Sequence, residues 1–213
     1  VVGIPGMCWL NCVRWNAAER LLYLGCEDRS GLYRYDPTRR QVLDGQVDPS
    51  IGDVQDIAFD KQRGRLYTVS LWKTPTLTEL DQRTLAVLRQ LTIGGSHYDV
   101  AYDPGSKHVF ASAWYGSRVR VVDARTMEPA GTIPTGLGTR ALAVARRQRL
   151  LLASSVYDGR LRVCDLDSGE VRASLQVGGH VKDIAVDEER GVAYFWSQCG
   201  LYRLDLSAWS RRR

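Results

Sequence analysis

An aspartate closes an apolar run five times in this chain, at Asp36, Asp81, Asp123, Asp165 and Asp205, at intervals of 45, 42, 42 and 40 residues. A recurring period of that length is the mark of a repeat architecture, in which one supersecondary unit is written over and over. The surrounding strings agree: DIAFDKQRGRLYTVS (56–70), DVAYDPGSKHVFASA (99–113), ALAVARRQRLLLASS (141–155) and DIAVDEERGVAYFWS (183–197), with CVRWNAAERLLYLGC (12–26) as the most divergent copy. Each repeat passes from an apolar run through a polar turn to a second run, then a loop, a third run such as RVRVVD or RLRVCD, a turn, and a fourth run ending in Gly. These runs are too short for helices and rich in Val, Leu, Tyr and Ala, which predicts strands buried on both faces. Four antiparallel strands in about 40–45 residues make a propeller blade, whose faces neighbouring blades must cover.

The expected fold class is therefore all-β, a five-bladed β-propeller of four-stranded antiparallel blades in a single domain over residues 1–213. The blades fall at about 7–52, 53–95, 96–136, 137–179 and 180–213, the last completed by 1–6. That completion is read from the two ends. The fifth repeat runs out after its third strand, LYRLD (201–205), while the chain opens on VVGIPG (1–6), which resembles the fourth strands GTIPTG (131–136) and LTIGG (91–95). Pairing of 1–5 with 201–205 is expected to close the ring without an exposed edge, the hazard that every sheet protein manages. A cut in the same loop of a longer propeller leaves the same matching ends, so a segment of a larger ring is the alternative.

Composition bounds the rest. With 44% hydrophobic residues in 213 the chain can bury one sizeable core, an ordinary size for one all-β domain. No run of 18 apolar residues occurs, so no helical membrane span is expected. A chain opening on Val-Val without Met reads as a mature or trimmed form. The net charge of +5 comes from 25 Arg against 4 Lys, scattered over all five repeats, which argues against a specific nucleic-acid surface. The one basic cluster, Arg211, Arg212 and Arg213, reads as a charged tail.

The stretch AGTIPTGLGTRALAVARRQRLLLASSVYDGRLRVCDLDSGEVRASLQVGG (130–179) resembles the YVTN-type β-propeller repeat, with NHL and WD-repeat propellers as neighbours. Its pattern is a strand ending in Gly, then strands of the form xxAVxP, xxYVxN and xVxVID. Residues 133–136, 141–144, 151–154 and 161–165 fall on those four elements, as do 99–104, 109–113 and 119–123 one repeat earlier. The signature Asn after the second strand is replaced by Cys26, Ser70, Ala113, Ser155 and Ser197, which sets the chain apart from the family pattern. The resemblance implies architecture strongly and function hardly at all, because such frames serve many unrelated roles.

Catalytic signatures are missing: the sequence has no nucleophile elbow, zinc-binding helix pair, phosphate-cradling loop or CxxC pair. The histidines His97, His108 and His180 form no recognisable ligand set, so no catalytic residue and no cofactor is assigned. The aspartates that end third strands are expected to accept N–H groups of the following turn, and Asn16, Asp60, Asp103 and Asp187 to do the same between first and second strands. Asp56, Asp99 and Asp183 open innermost strands; three carboxylates there are a weak candidate for a hard cation, which wants oxygen ligands, against a plain capping role.

The stronger candidate is the face carrying the blade-to-blade loops and the loops from second to third strands. Trp72, Tyr115 and Tyr157 occupy matching places there in three consecutive repeats, with Trp114 beside Tyr115. The blade-to-blade loops add Trp9, His97, Tyr98, Arg140, His180 and Lys182. Aromatic and Arg side chains in solvent-facing loops are enriched at interfaces, so the face reads as a non-catalytic binding surface for a protein segment or a glycan; the competing reading is a hydrophobic lid over adjacent blades. A lectin-like binder and a metal-dependent lactonase-like propeller are the alternatives; the second needs Asn ligands, of which Asn11 is the only one near. The domain is expected to be monomeric.

Five cysteines make neither a disulfide framework nor a metal motif. Cys12 and Cys26 lie symmetrically about the first hairpin turn, so the plain register sets them opposite each other. Cys8 and Cys199 lie in loops that adjoin if the ring closes as above, where a bridge locks the closure and points to an extracytoplasmic, bacterial setting; the alternative is five reduced thiols acting as small hydrophobes.

Overall fold

The structure is a computed structural model that describes residues 8–28, 30–72 and 76–209. The described residues form nineteen strands and one 3-10 turn, Ser207–Trp209, with no α-helix. They fall into two compact units, Val1–Val100 and Ala101–Arg213. The first unit holds a sheet of β1 (Leu10–Asn16), β2 (Leu21–Cys26), β3 (Gly31–Asp36) and β4 (Gln41–Val47), and a sheet of β5 (Asp56–Asp60), β6 (Arg65–Val69), β7 (Thr76–Asp81) and β8 (Val87–Thr92). In the second unit lie β9 (Val100–Asp103), which starts at the division, β10 (His108–Ala111), β11 (Arg118–Asp123) and β12 (Glu128–Pro134), followed by β13 (Thr139–Ala145), β14 (Leu150–Ser155), β15 (Arg160–Asp165) and β16 (Val171–Gln176). A last sheet of β17 (Ile184–Asp187), β18 (Val192–Ser197) and β19 (Gly200–Asp205) has three strands. Every sheet is antiparallel in chain order, so the repeat reading of four strands per blade holds in four blades. The fourth strand expected for the last blade, from 1–5, lies outside the described residues.

Turn chemistry sets the register. Each turn from first to second strand ends on a residue in the left-handed region: Arg20 (φ 56°), Gly64 (61°), Lys107 (60°), Arg149 (56°) and Gly191 (64°). The turns from third to fourth strand do the same at Arg40, Leu85, Met127 and Gly169. Six of these nine carry a side chain that costs roughly 1–2 kcal/mol in that conformation. Carboxylates offset the strain by holding the turn N–H groups. Asp36 accepts from Thr38 and Arg39, Asp81 from Arg83 and Thr84, Asp123 from Arg125 and Thr126, Asp165 from Asp167 and Ser168, and Asp205 from Ser207. The Arg125 guanidinium and turn N–H groups hold the Asp123 carboxyl at about 2. Asn16, Asp60, Asp103 and Asp187 cap the other set of turns, as the sequence predicts.

The fourth repeat has Ala145 where the others carry Asp or Asn, and the missing carboxylate comes from the next blade. Glu188 accepts the N–H of Arg146 at 2.8 Å and of Arg147 at 3.1 Å. Glu188→Ala is expected to lower stability by about 1 kcal/mol, the worth of a lost cap. Ala145→Asp in the same background should restore most of it in urea unfolding; a double variant no more stable than Glu188→Ala would show that Glu188 does not stand in for the repeat's own cap.

Blades pack by one rule. Within each unit, the twelfth residue of one fifteen-residue copy meets the second and eleventh residues of the next copy. Tyr23 packs with Ile57 and Leu66, Phe110 with Leu142 and Leu151, and Leu152 with Ile184 and Ala193, all buried. This is why the strands read as continuous apolar runs rather than alternating ones.

Candidate interaction face

In the second unit, three loops at one end of the strands are stitched by main-chain hydrogen bonds. Gly138 donates to the Gly116 carbonyl at 3.2 Å, and Val156 donates to the Gly138 carbonyl at 3.0 Å. The Ser155 hydroxyl adds a bond to the Leu137 carbonyl at 2.6 Å. Further along, Val177 donates to the Gly159 carbonyl and Gln198 to the Gly179 carbonyl. A loop surface tied in this way is preorganised, so a partner binding there loses little loop entropy.

Rings stand on this frame. Trp114 and Tyr157 come from loops of adjacent blades and meet at 5.6 Å between centroids with planes tilted by 47°. Tyr115 and Tyr157 remain 64% and 59% exposed, and Leu137 is exposed beside them. Gly138 (φ 75°) is the residue that lets Tyr157 lie down: a Cβ there meets the Tyr157 ring edge. Contact between blades and solvent exposure thus coexist, the lid and binding readings each capturing part of it. His180 and Lys182 are exposed, Arg140 is half-buried, and the Lys182 ammonium lies 5.7 Å from the Trp196 ring centre.

In the first unit, Trp72 is half exposed and its indole N–H donates to Glu27 at 3.3 Å. Its loop is held by the buried Asp53 carboxylate, which accepts the N–H groups of Leu71 and Trp72. Trp9 is 76% exposed, with its N–H on Asp28, and Tyr98 is half-buried. His97 is a correction: it is wholly buried, its main-chain N–H donating to the Ser70 carbonyl, so it presents no surface to a partner. Loop position alone did not separate a side chain turned inward from those turned out.

The carboxylates proposed for a cation have separate occupations. Buried Asp56 forms an ion pair with Arg14 at 2.6 Å and accepts the Val100 N–H at 3.2 Å. Asp99 is buried, and Asp183 is exposed and bonds the N–H of Ile184. Among the described residues no three His, Cys, Asp or Glu side chains gather as a metal ion requires. Arg211, Arg212 and Arg213 lie outside the described residues.

The cysteine pairing is also corrected. Cys8 and Cys26 are disulfide-bonded, with Cα atoms 5.6 Å apart, while Cys12, Cys164 and Cys199 are free. The hairpin pairs Asn16 with Leu21 and, in the same register, Cys12 with Gly25; a bulge beyond Cys12 then sets Leu10 opposite Cys26. The register set at the turn leaves Cys12 one place off Cys26, and Cys8, in the approach to the strand, is the bonded partner. Cys12 sits in the core, where burial, with Asp56 nearby, pushes its thiol pKa up.

No family model matches the chain, and no curated protein matches it. Among solved structures it is similar to the β-propeller domain of Cps50 (Swd1) from Myceliophteria thermophila, with TM-score 0.75 and 17% identity over 90% of this chain and 63% of that one. It is similar also to hydrazine synthase from Kuenenia stuttgartiensis, with TM-score 0.77 and 14% identity over 91% of this chain and 58% of that one. The chain spans about three-fifths of the length of these structures. The fold is that of a β-propeller.

Proposed function

We propose that this propeller is a non-catalytic interaction module of the YVTN-repeat kind that binds an extended acidic or polar protein segment across its loop face. The observation that carries the reading is the pair of exposed tyrosines, Tyr115 and Tyr157, on loops held in place by main-chain bonds. Rigid rings give contact area at small entropic cost and are common hot spots. The exposed Lys182 and His180 and the half-buried Arg140 favour a partner of negative potential. A similarity to other propellers is compatible with a scaffold role. The Cys8–Cys26 bridge supports an extracytoplasmic setting, where disulfides persist.

Selecting peptides from a random displayed library against the immobilised protein tests this. Recovered peptides should be rich in Asp and Glu, and Tyr115→Ala and Tyr157→Ala should each weaken them by about 1–3 kcal/mol with little loss of thermal stability. If the same peptides bind the double variant at wild-type strength, or if only oligosaccharides bind, the protein-segment reading is wrong.

A further inference from the structure

At the end of the strands opposite the loop of Trp72, the first unit holds a cavity of about 500 Å³ between three turns, β1–β2, β5–β6 and β7–β8. Glu19 of the first turn, Arg63 and Arg65 of the second, and Asp81 and Arg83 of the third line it. Gly64 (φ 61°) leaves the space between its two arginines open, since a Cβ there would have nothing within 4 Å. The volume is that of a small-molecule pocket.

The blade itself does not require a cation at Arg65, because the other copies of the repeat carry Leu21, His108, Leu150 and Val192 in its place. Both carboxylates of the lining are already engaged. Glu19 accepts from the Tyr23 hydroxyl at 2.6 Å and the Gln82 amide at 2.8 Å. Asp81 accepts from the main-chain N–H groups of Arg83 and Thr84 and from Arg65 Nη1 at 2.7 Å. Arg63 spends donors on Glu79 and on the Tyr67 hydroxyl. Donors are in surplus on the other two arginines. Arg65 gives only Nη1, to Asp81 and the Gly64 carbonyl, and the Arg83 guanidinium has no acceptor among the described residues. A planar fork of N–H groups in want of acceptors matches the oxygens of a phosphate. Leu88, 44% exposed, adds an apolar wall beside them.

We propose that this cavity binds a small phosphomonoester, its phosphate held by Arg65 and Arg83 and its carbon skeleton against Leu88. The site belongs wholly to the first unit and stands apart from the loop face.

Isothermal titration with glycerol phosphate, glucose 6-phosphate and adenosine monophosphate tests the proposal, with glycerol, glucose and adenosine as controls and circular dichroism as the check of fold. At least one ester should bind, and its phosphate-free counterpart should not. Arg83→Gln and Arg65→Gln should each weaken binding about 10-fold or more, the order of one charge-assisted hydrogen bond. Arg83 is exposed, so its variant should melt with the wild type even if Arg65→Gln, which loses the pair with Asp81, does not. Arg118→Gln, the same charge removed from the second unit, should leave affinity unchanged. Binding should strengthen from about pH 5 to about pH 7, because the ester loses its second proton near pH 6 while the lining arginines stay charged. Failure of all three esters to bind overturns the proposal. So does a counterpart that binds as well as its ester, an unchanged affinity in Arg83→Gln, or a loss in Arg118→Gln equal to that in Arg83→Gln, which would leave only diffuse attraction to a basic protein.

Discussion

Phe110→Ala is expected to destabilise dilute protein by about 3–5 kcal/mol, while Tyr194→Ala, at the same place in the repeat, should cost less than about 1 kcal/mol. Phe110 is wholly buried on β10, in a cluster with Val119, Ile133, Leu142 and Leu151. Truncation removes the transfer free energy of the ring and leaves a cavity that rigid strands on both sides cannot close. Tyr194 is 36% exposed, so its loss leaves little cavity. Urea unfolding of both variants measures the contrast. Equal losses would mean that Tyr194 is as well packed in the folded protein as Phe110.

Reduction of the Cys8–Cys26 bridge should lower stability by about 3 kcal/mol, and a Cys8→Ala, Cys26→Ala variant should match the reduced wild type. The bond closes a loop of 18 residues in sequence, and cross-links of that span restrict the unfolded chain by about this amount. It also ties the approach to β1 onto the end of β2, beside the Glu27 N–H bond to the Trp9 carbonyl at 2.9 Å. Thiol titration of unfolded, unreduced protein should count Cys12, Cys164 and Cys199 and no others. Cys199→Ser should leave the melting temperature of oxidised protein unchanged; a large drop would revive the Cys8 to Cys199 pairing suggested by ring closure.

The loop face was legible only in part. The recurrence of Trp72, Tyr115 and Tyr157 located the exposed rings, because the repeat period carries equivalent residues to equivalent loops. It missed Leu137, which sits exposed between Gly136 and Gly138 and whose glycine neighbours were the available signal. It also kept His97 in the set although that residue is wholly buried.

By itself the sequence determined the blades and their turns, since strand length, apolar runs and Asp or Asn at turn positions act within a few residues of one another. The aspartate caps follow from the same local chemistry, and each appears where the period puts it. Tertiary structure decided what depends on distant chain segments: that Cys26 is bonded to Cys8 rather than Cys12, that Glu188 caps the turn of the preceding repeat, which lacks a carboxylate of its own, and that Arg20, Lys107 and Arg149 accept left-handed backbone. It decided, too, that Tyr194 is exposed while Tyr23, Tyr67, Phe110 and Leu152, at the same repeat position, are buried. A residue's place in a repeat sets which way it points, but the packing of distant segments sets whether water reaches it.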